Sequence, residues 1–147
     1  MKKYFYFLFA LVLFSCAEEG TEEPEIVTGT SHMDQETYTE TEEALEGLRL
    51  NGGNKWKVEQ STHDGMEEIK SLVVNFEGEE YKELGKEIKG TLKTVIDECT
   101  MTGEGHDQFH IVLKAMMKES KALKKGKSTD LVKMNRYLEM YDKHFEL

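Results

Sequence analysis

The amino-acid sequence predicts an all-α protein, an up-down four-helix bundle standing behind a disordered acidic tether. Three observations lead there. From His63 onward, four successive segments repeat their apolar residues at helical spacing. The stretches joining those segments are short, which favours antiparallel neighbours. The single proline, Pro24, precedes all four, so no ring interrupts a helical backbone. Strand-like alternation is confined to Lys55–Glu59, and no internal repeat is present.

The chain opens with Lys2 and Lys3, followed by an unbroken apolar run from Tyr4 to Phe14. A basic start and a run of this length read as a secretory signal over residues 1–15, because a membrane-spanning helix needs roughly 20 apolar residues. The run ends in Leu13-Phe14-Ser15-Cys16. This resembles the lipobox of bacterial lipoproteins, in which a small residue precedes the cysteine that begins the mature protein. Phe14 is the one bulky departure. The resemblance implies that Cys16 is diacylated on sulfur and acylated on its new amine, so that the protein partners a membrane of the cell envelope. The outer membrane is the expected one, with the domain periplasmic or surface-exposed. Several acyl chains, at about 0.8 kcal/mol per buried methylene, hold a protein that one chain would hold marginally.

Residues 16–50 read as the lipidated tether. No Lys or Arg occurs between Ala17 and Gly47, and the segment includes Glu-Glu-Gly-Thr-Glu-Glu-Pro-Glu. It has too few apolar residues to offset the entropy of ordering, so disorder is expected to about Glu43. A short helix is expected from about Glu36 to Leu50, ending at Asn51-Gly52-Gly53-Asn54. The acids directly after Cys16 also resemble the surface-export signal of lipoproteins in the Bacteroidota. The formal charge of -10 is concentrated in this tether, and the body is nearly balanced. No basic patch stands out, which argues against nucleic-acid binding.

Residues 51–147 read as the bundle, entered through Trp56 and Val58. The first helix, from about His63 to Glu77, aligns Met66, Ile69, Val73 and Phe76. The second, from about Glu79 to Cys99, aligns Tyr81, Leu84, Ile88, Leu92, Val95 and Cys99. The third, from about Gly105 to Lys125, aligns Phe109, Leu113, Met116, Met117 and Leu123. Its last turns carry Lys118, Lys121, Lys124 and Lys125, which complement the helix dipole. Gly126 stops it, and Ser128 or Thr129 can cap a fourth helix that aligns Leu131, Met134, Leu138, Tyr141 and Phe145.

Chemistry concentrates in Cys99-Thr100-Met101-Thr102-Gly103-Glu104-Gly105-His106-Asp107-Gln108-Phe109-His110. His106 and His110 are four apart, so on a helix they project together, a common way to hold a metal ion. An up-down topology brings the starts of the first and third helices to the same end as the finishes of the second and fourth. That pole would gather His63, Met66, Cys99, Met101, His106, His110, Tyr141 and His144, leaving only His32 elsewhere among the histidines. The expected metal ligands are Cys99, Met101, His106 and His110, with Met66 a further candidate. Asp107, Glu104, His63 and His144 would supply outer contacts. Thiolate and thioether favour copper, and zinc follows through Cys99 and the two imidazoles. Each residue also has a plainer reading. The methionines fill gaps in a core, Cys99 is a small buried hydrophobe, and the outer histidines are solvated. With Cys16 lipidated, Cys99 has no partner for an intramolecular disulfide.

Trp56-Lys57-Val58, followed by Cys99-Thr100-Met101-x-Gly103-x-x-His106-Asp107-x-x-His110, resembles a group of uncharacterised small helical proteins from the Bacteroidota. Their motif runs Cys-Thr-Met-x-Gly-x-x-His-Asp-x-Leu-His, and Phe109 stands here in place of the leucine. The likeness covers about Asn51 to the C-terminus and implies a site without naming an activity. Non-covalent haem held by Met66 with His106 or His110 is another expectation; the absence of Cys-x-x-Cys-His excludes covalent c-type haem. No nucleophile elbow, phosphate loop or His-Glu-x-x-His is present, so no enzyme class is indicated. The rival from another class is a metal-free structural or protein-interaction module.

Overall fold

The computed structural model describes residues 35–147. The signal segment, Cys16, His32 and the tether through residue 34 lie outside the described residues. The elements run α1 (Gln35–Ala44), β1 (Trp56–Lys57), α2 (Gln60–Val74), α3 (Tyr81–Glu98), α4 (Glu104–Leu123), α5 (Thr129–His144) and β2 (Phe145–Glu146). Among the described residues no helix is long and apolar enough to cross a membrane.

Helices α2 to α5 form the expected bundle, and the close approaches along their seams show each one running against the next. Gly65, early in α2, abuts Val95, late in α3. Gly85, early in α3, faces the backbone of Ser120 and Lys124 at the end of α4. Phe109, early in α4, packs against Tyr141 and Phe145 at the end of the chain, with ring centroids 6.1 Å and 5.8 Å apart. The predicted apolar stripes meet inside. Met66, Ile69, Ile88, Leu92, Phe109, Met116, Leu123 and Met134 are all fully buried. Each such side chain contributes about 1.5–3 kcal/mol on leaving water, which is why four separately amphipathic segments close on one another.

The structure departs from expectation at three places. The helix expected from Glu36 to Leu50 runs instead over Gln35–Ala44, and it belongs to the folded body rather than to a spacer. It packs on α5, buries Thr37 and Thr41, and is followed by the buried Leu45. Its acids meet bases of α5: Glu40 pairs with Lys133, and Glu42 with Arg136 at 3.0 Å. The Arg136 guanidinium also lies 5.7 Å from the centre of the Tyr38 ring. Second, Phe145 leaves the helix and forms a short parallel pair with Trp56 through β1 and β2. It is buried all the same. Third, neither Ser128 nor any other N-cap residue of α2 to α5 donates or accepts a side-chain capping bond.

Candidate functional site

The pole where α3 ends and α4 begins is assembled by contacts between segments far apart in sequence. The linker 99–103 leaves α3 in an extended conformation at Cys99 and enters α4 through Gly103, whose φ of 77° and ψ of -163° lie in a region essentially restricted to glycine. Glu59, just before α2, clamps this linker: it accepts from the Thr100 amide at 2.8 Å and the Thr100 hydroxyl at 2.9 Å. Trp56 covers the start of α4 so closely that a Cβ added to Gly105 would stand 3.2 Å from its ring. The Trp56 indole donates to the Arg49 carbonyl at 2.7 Å. The Arg49 amide in turn donates to the Gln108 side chain at 2.7 Å, and its guanidinium pairs with Glu104. Much of the motif from Cys99 to His110 is therefore architectural, with Gly103, Gly105 and Gln108 setting the angle and depth of α4.

His106 and His110 stand apart from this scaffolding. Their rings meet edge to face with centroids 4.2 Å apart, both half-buried. Among the described residues neither imidazole makes a hydrogen bond. Partial burial holds the His110 pKa below the ordinary value of 6.5, assisted by the neighbouring charges of His106 and Lys114 and opposed by Asp107. At neutral pH His110 is therefore uncharged and keeps a nitrogen lone pair, the form in which imidazole binds a metal.

The other predicted ligands are distributed differently. Met66 is fully buried in the central core, where its sulfur is enclosed by packing. Met101 is half-buried, and its sulfur lies 4.0 Å from the Thr62 hydroxyl of α2. Cys99 is a half-buried free thiol at the end of α3. His144 donates through Nδ1 to the Met140 carbonyl at 2.8 Å. His63 is half-buried, with an enclosed Nδ1 that has no hydrogen-bond partner among the described residues, and Asp107 is exposed. The enclosed Tyr141 hydroxyl likewise lacks a partner. Among the described residues, no three His, Cys, Asp or Glu side chains are grouped so as to hold a metal ion.

One surface was not anticipated. A groove of about 440 Å³ runs beside the imidazole pair, with His110 at one end, Ile96 of α3 and Leu113 and Met117 of α4 as its floor, and Lys114, Lys118 and Lys121 lining it. Of these lysines the sequence singles out only Lys118 and Lys121, as complements of the helix dipole, and Lys114 carries no such signal. No family model, curated protein or solved structure matches this chain.

Proposed function

We propose that this protein is a lipid-anchored component of the bacterial cell envelope that binds a copper or zinc ion at one pole of its helical bundle, through His106 and His110. The observation that carries the reading is the contact between two imidazoles that have no hydrogen-bond partners among the described residues. Polar nitrogens in a folded domain are ordinarily engaged by the protein or by water, and a pair projecting from one helical turn suits an imidazole-preferring ion. Cys99 is the remaining soft donor at this pole, since Met66 is enclosed in the core and Met101 is directed to Thr62. Asp107, one residue from His106, supplies negative charge nearby. Two imidazoles leave coordination positions open, which suits handling or sensing of a metal more than a closed structural site.

The anchor rests on Cys16 following an apolar signal. Cys16→Ser should move the protein from the membrane fraction to the soluble fraction, and retention in the membrane would refute the anchor. The metal reading is tested on the full chain carrying that same substitution. Zn(II) or Cu(I) at 100 times its dissociation constant should raise unfolding stability by about 2.7 kcal/mol. His106→Ala with His110→Ala should abolish the rise. Stabilisation that survives the double substitution would place the ion elsewhere.

A further inference from the structure

We infer that the groove between α3 and α4 binds a single-chain anionic amphiphile, a long-chain fatty acid, with its alkyl chain on Ile96, Leu113 and Met117 and its carboxylate among Lys114, Lys118 and Lys121. The volume of about 440 Å³ lies within the range of small-molecule sites, which are mostly apolar with a few polar groups that fix orientation. Leu113 and Met117 are four apart and so form one line along α4, while Lys114, Lys118 and Lys121 form a second line beside it. An elongated apolar floor with a basic flank matches a ligand that is itself elongated and charged at one end. From His110 to Lys121 the helix rises roughly 16 Å, so the strip is long enough for an extended chain.

The charges of the fold add a second argument. Lys57, Lys70, Lys86, Lys93 and Lys133 all engage a carboxylate. Among the described residues Lys114, Lys118 and Lys121 form no ion pair, as is true of several other lysines such as Lys82 and Lys89, and what sets the three apart is that they line one groove. Three ammonium groups along one apolar groove form a local anion-selective edge. Their alkyl stems can extend the apolar wall while the heads reach water. Ile96 is 43 % exposed, a large apolar side chain left uncovered in the lining of this groove. Met117 brings an unbranched thioether that adapts to a flexible chain. The site shares only His110 with the proposed metal pair and does not depend on it.

The test is a calorimetric titration of the full chain carrying Cys16→Ser with dodecanoate below its micellar concentration. One molecule should bind saturably, and decanoate, two methylenes shorter, should bind roughly 16-fold more weakly at about fourfold per methylene. Ile96→Lys and Lys118→Glu, both at exposed positions, should each weaken binding at least tenfold while the circular dichroism spectrum is unchanged. Dodecyltrimethylammonium, with the same chain and the opposite charge, should fail to compete. Equal competition by the cation, undiminished binding to Ile96→Lys, or no saturable binding of dodecanoate would each overturn the inference. So would saturable binding of an acidic amphipathic peptide that dodecanoate does not displace, because the occupant would then be a protein helix. Zinc binding by Ile96→Lys should remain intact, so the two sites can fail separately.

Discussion

In its last turns α4 buries Glu119 and Ser120, and the fold meets the cost of each in a different way. Ser120 donates to the Met117 carbonyl at 3.0 Å, whereas Glu119 makes no hydrogen bond among the described residues and burial raises its pKa against the opposing charge of Lys133 on α5. In its first turns the same helix carries His106 and His110, half-buried, with no hydrogen bond to either ring among the described residues. Burial of a polar group is costly unless it is partnered; Ser120 meets that cost with a hydrogen bond, and Glu119 by holding its proton more tightly. In the N-terminal half Gln108 is likewise held by a hydrogen bond, and the half-buried imidazoles beside it are not. The contrast separates residues that hold the bundle together from residues available to a ligand.

The sharpest way to break the contrast is a comparison of stability losses. Phe109 is fully buried against Tyr141 and Phe145 one residue before His110, and Phe109→Ala should cost about 3–5 kcal/mol in urea unfolding. His106→Ala with His110→Ala should cost no more than about 0.5 kcal/mol without metal. Comparable losses would make the imidazoles structural. Next in size are the glycines that set the helix positions. Gly85→Ala would bring a Cβ to 2.8 Å from the Ser120 carbonyl, and Gly103→Ala would force a side chain into glycine-only backbone space. Each should cost about 1–3 kcal/mol by thermal unfolding.

Two smaller effects read the electrostatics of each half. Burial raises the Glu119 pKa above its ordinary 4.5, with Lys133 opposing. Between those two values the native state holds the proton more tightly than the unfolded chain. Its contribution to stability is therefore complete below pH 4.5 and lost as pH rises through the folded value. Glu119→Gln should flatten that part of the stability profile, and an unchanged profile would contradict the assignment. His110 has the opposite sense: its depressed pKa gives a contribution present above pH 6.5 and lost as pH falls through the folded value. Its NMR titration midpoint should lie below 6.5 and move upward in Lys114→Ala, a shift that a fully solvated imidazole would not show.

The bundle was legible because its information is local. Apolar residues at three- and four-residue spacing mark a face, and Met66, Ile88, Phe109 and Met134 reached the core from faces read that way. The docking of α1 was not legible, because the partners that order it, Lys133 and Arg136, lie 93 and 94 residues beyond Glu40 and Glu42. Composition registers the acids of residues 35–44 but not the bases that answer them. Phe145 followed the helical period of α5 in sequence, while its pairing with Trp56 depends on the other end of the body. At the pole, spacing was enough to bring His106 and His110 together. Ligand type alone could not separate Met66 from them, since whether a sulfur is enclosed depends on the packing of four helices.

The most direct measurement is a Zn(II) titration of the full chain carrying Cys16→Ser, at neutral pH, followed through the imidazole carbon-bound proton resonances. The account predicts that one equivalent shifts or broadens the signals of His106 and His110 together, while those of His63 and His144 hold still. Unperturbed His106 and His110 signals at saturating zinc, or changes confined to His63 and His144, would contradict it.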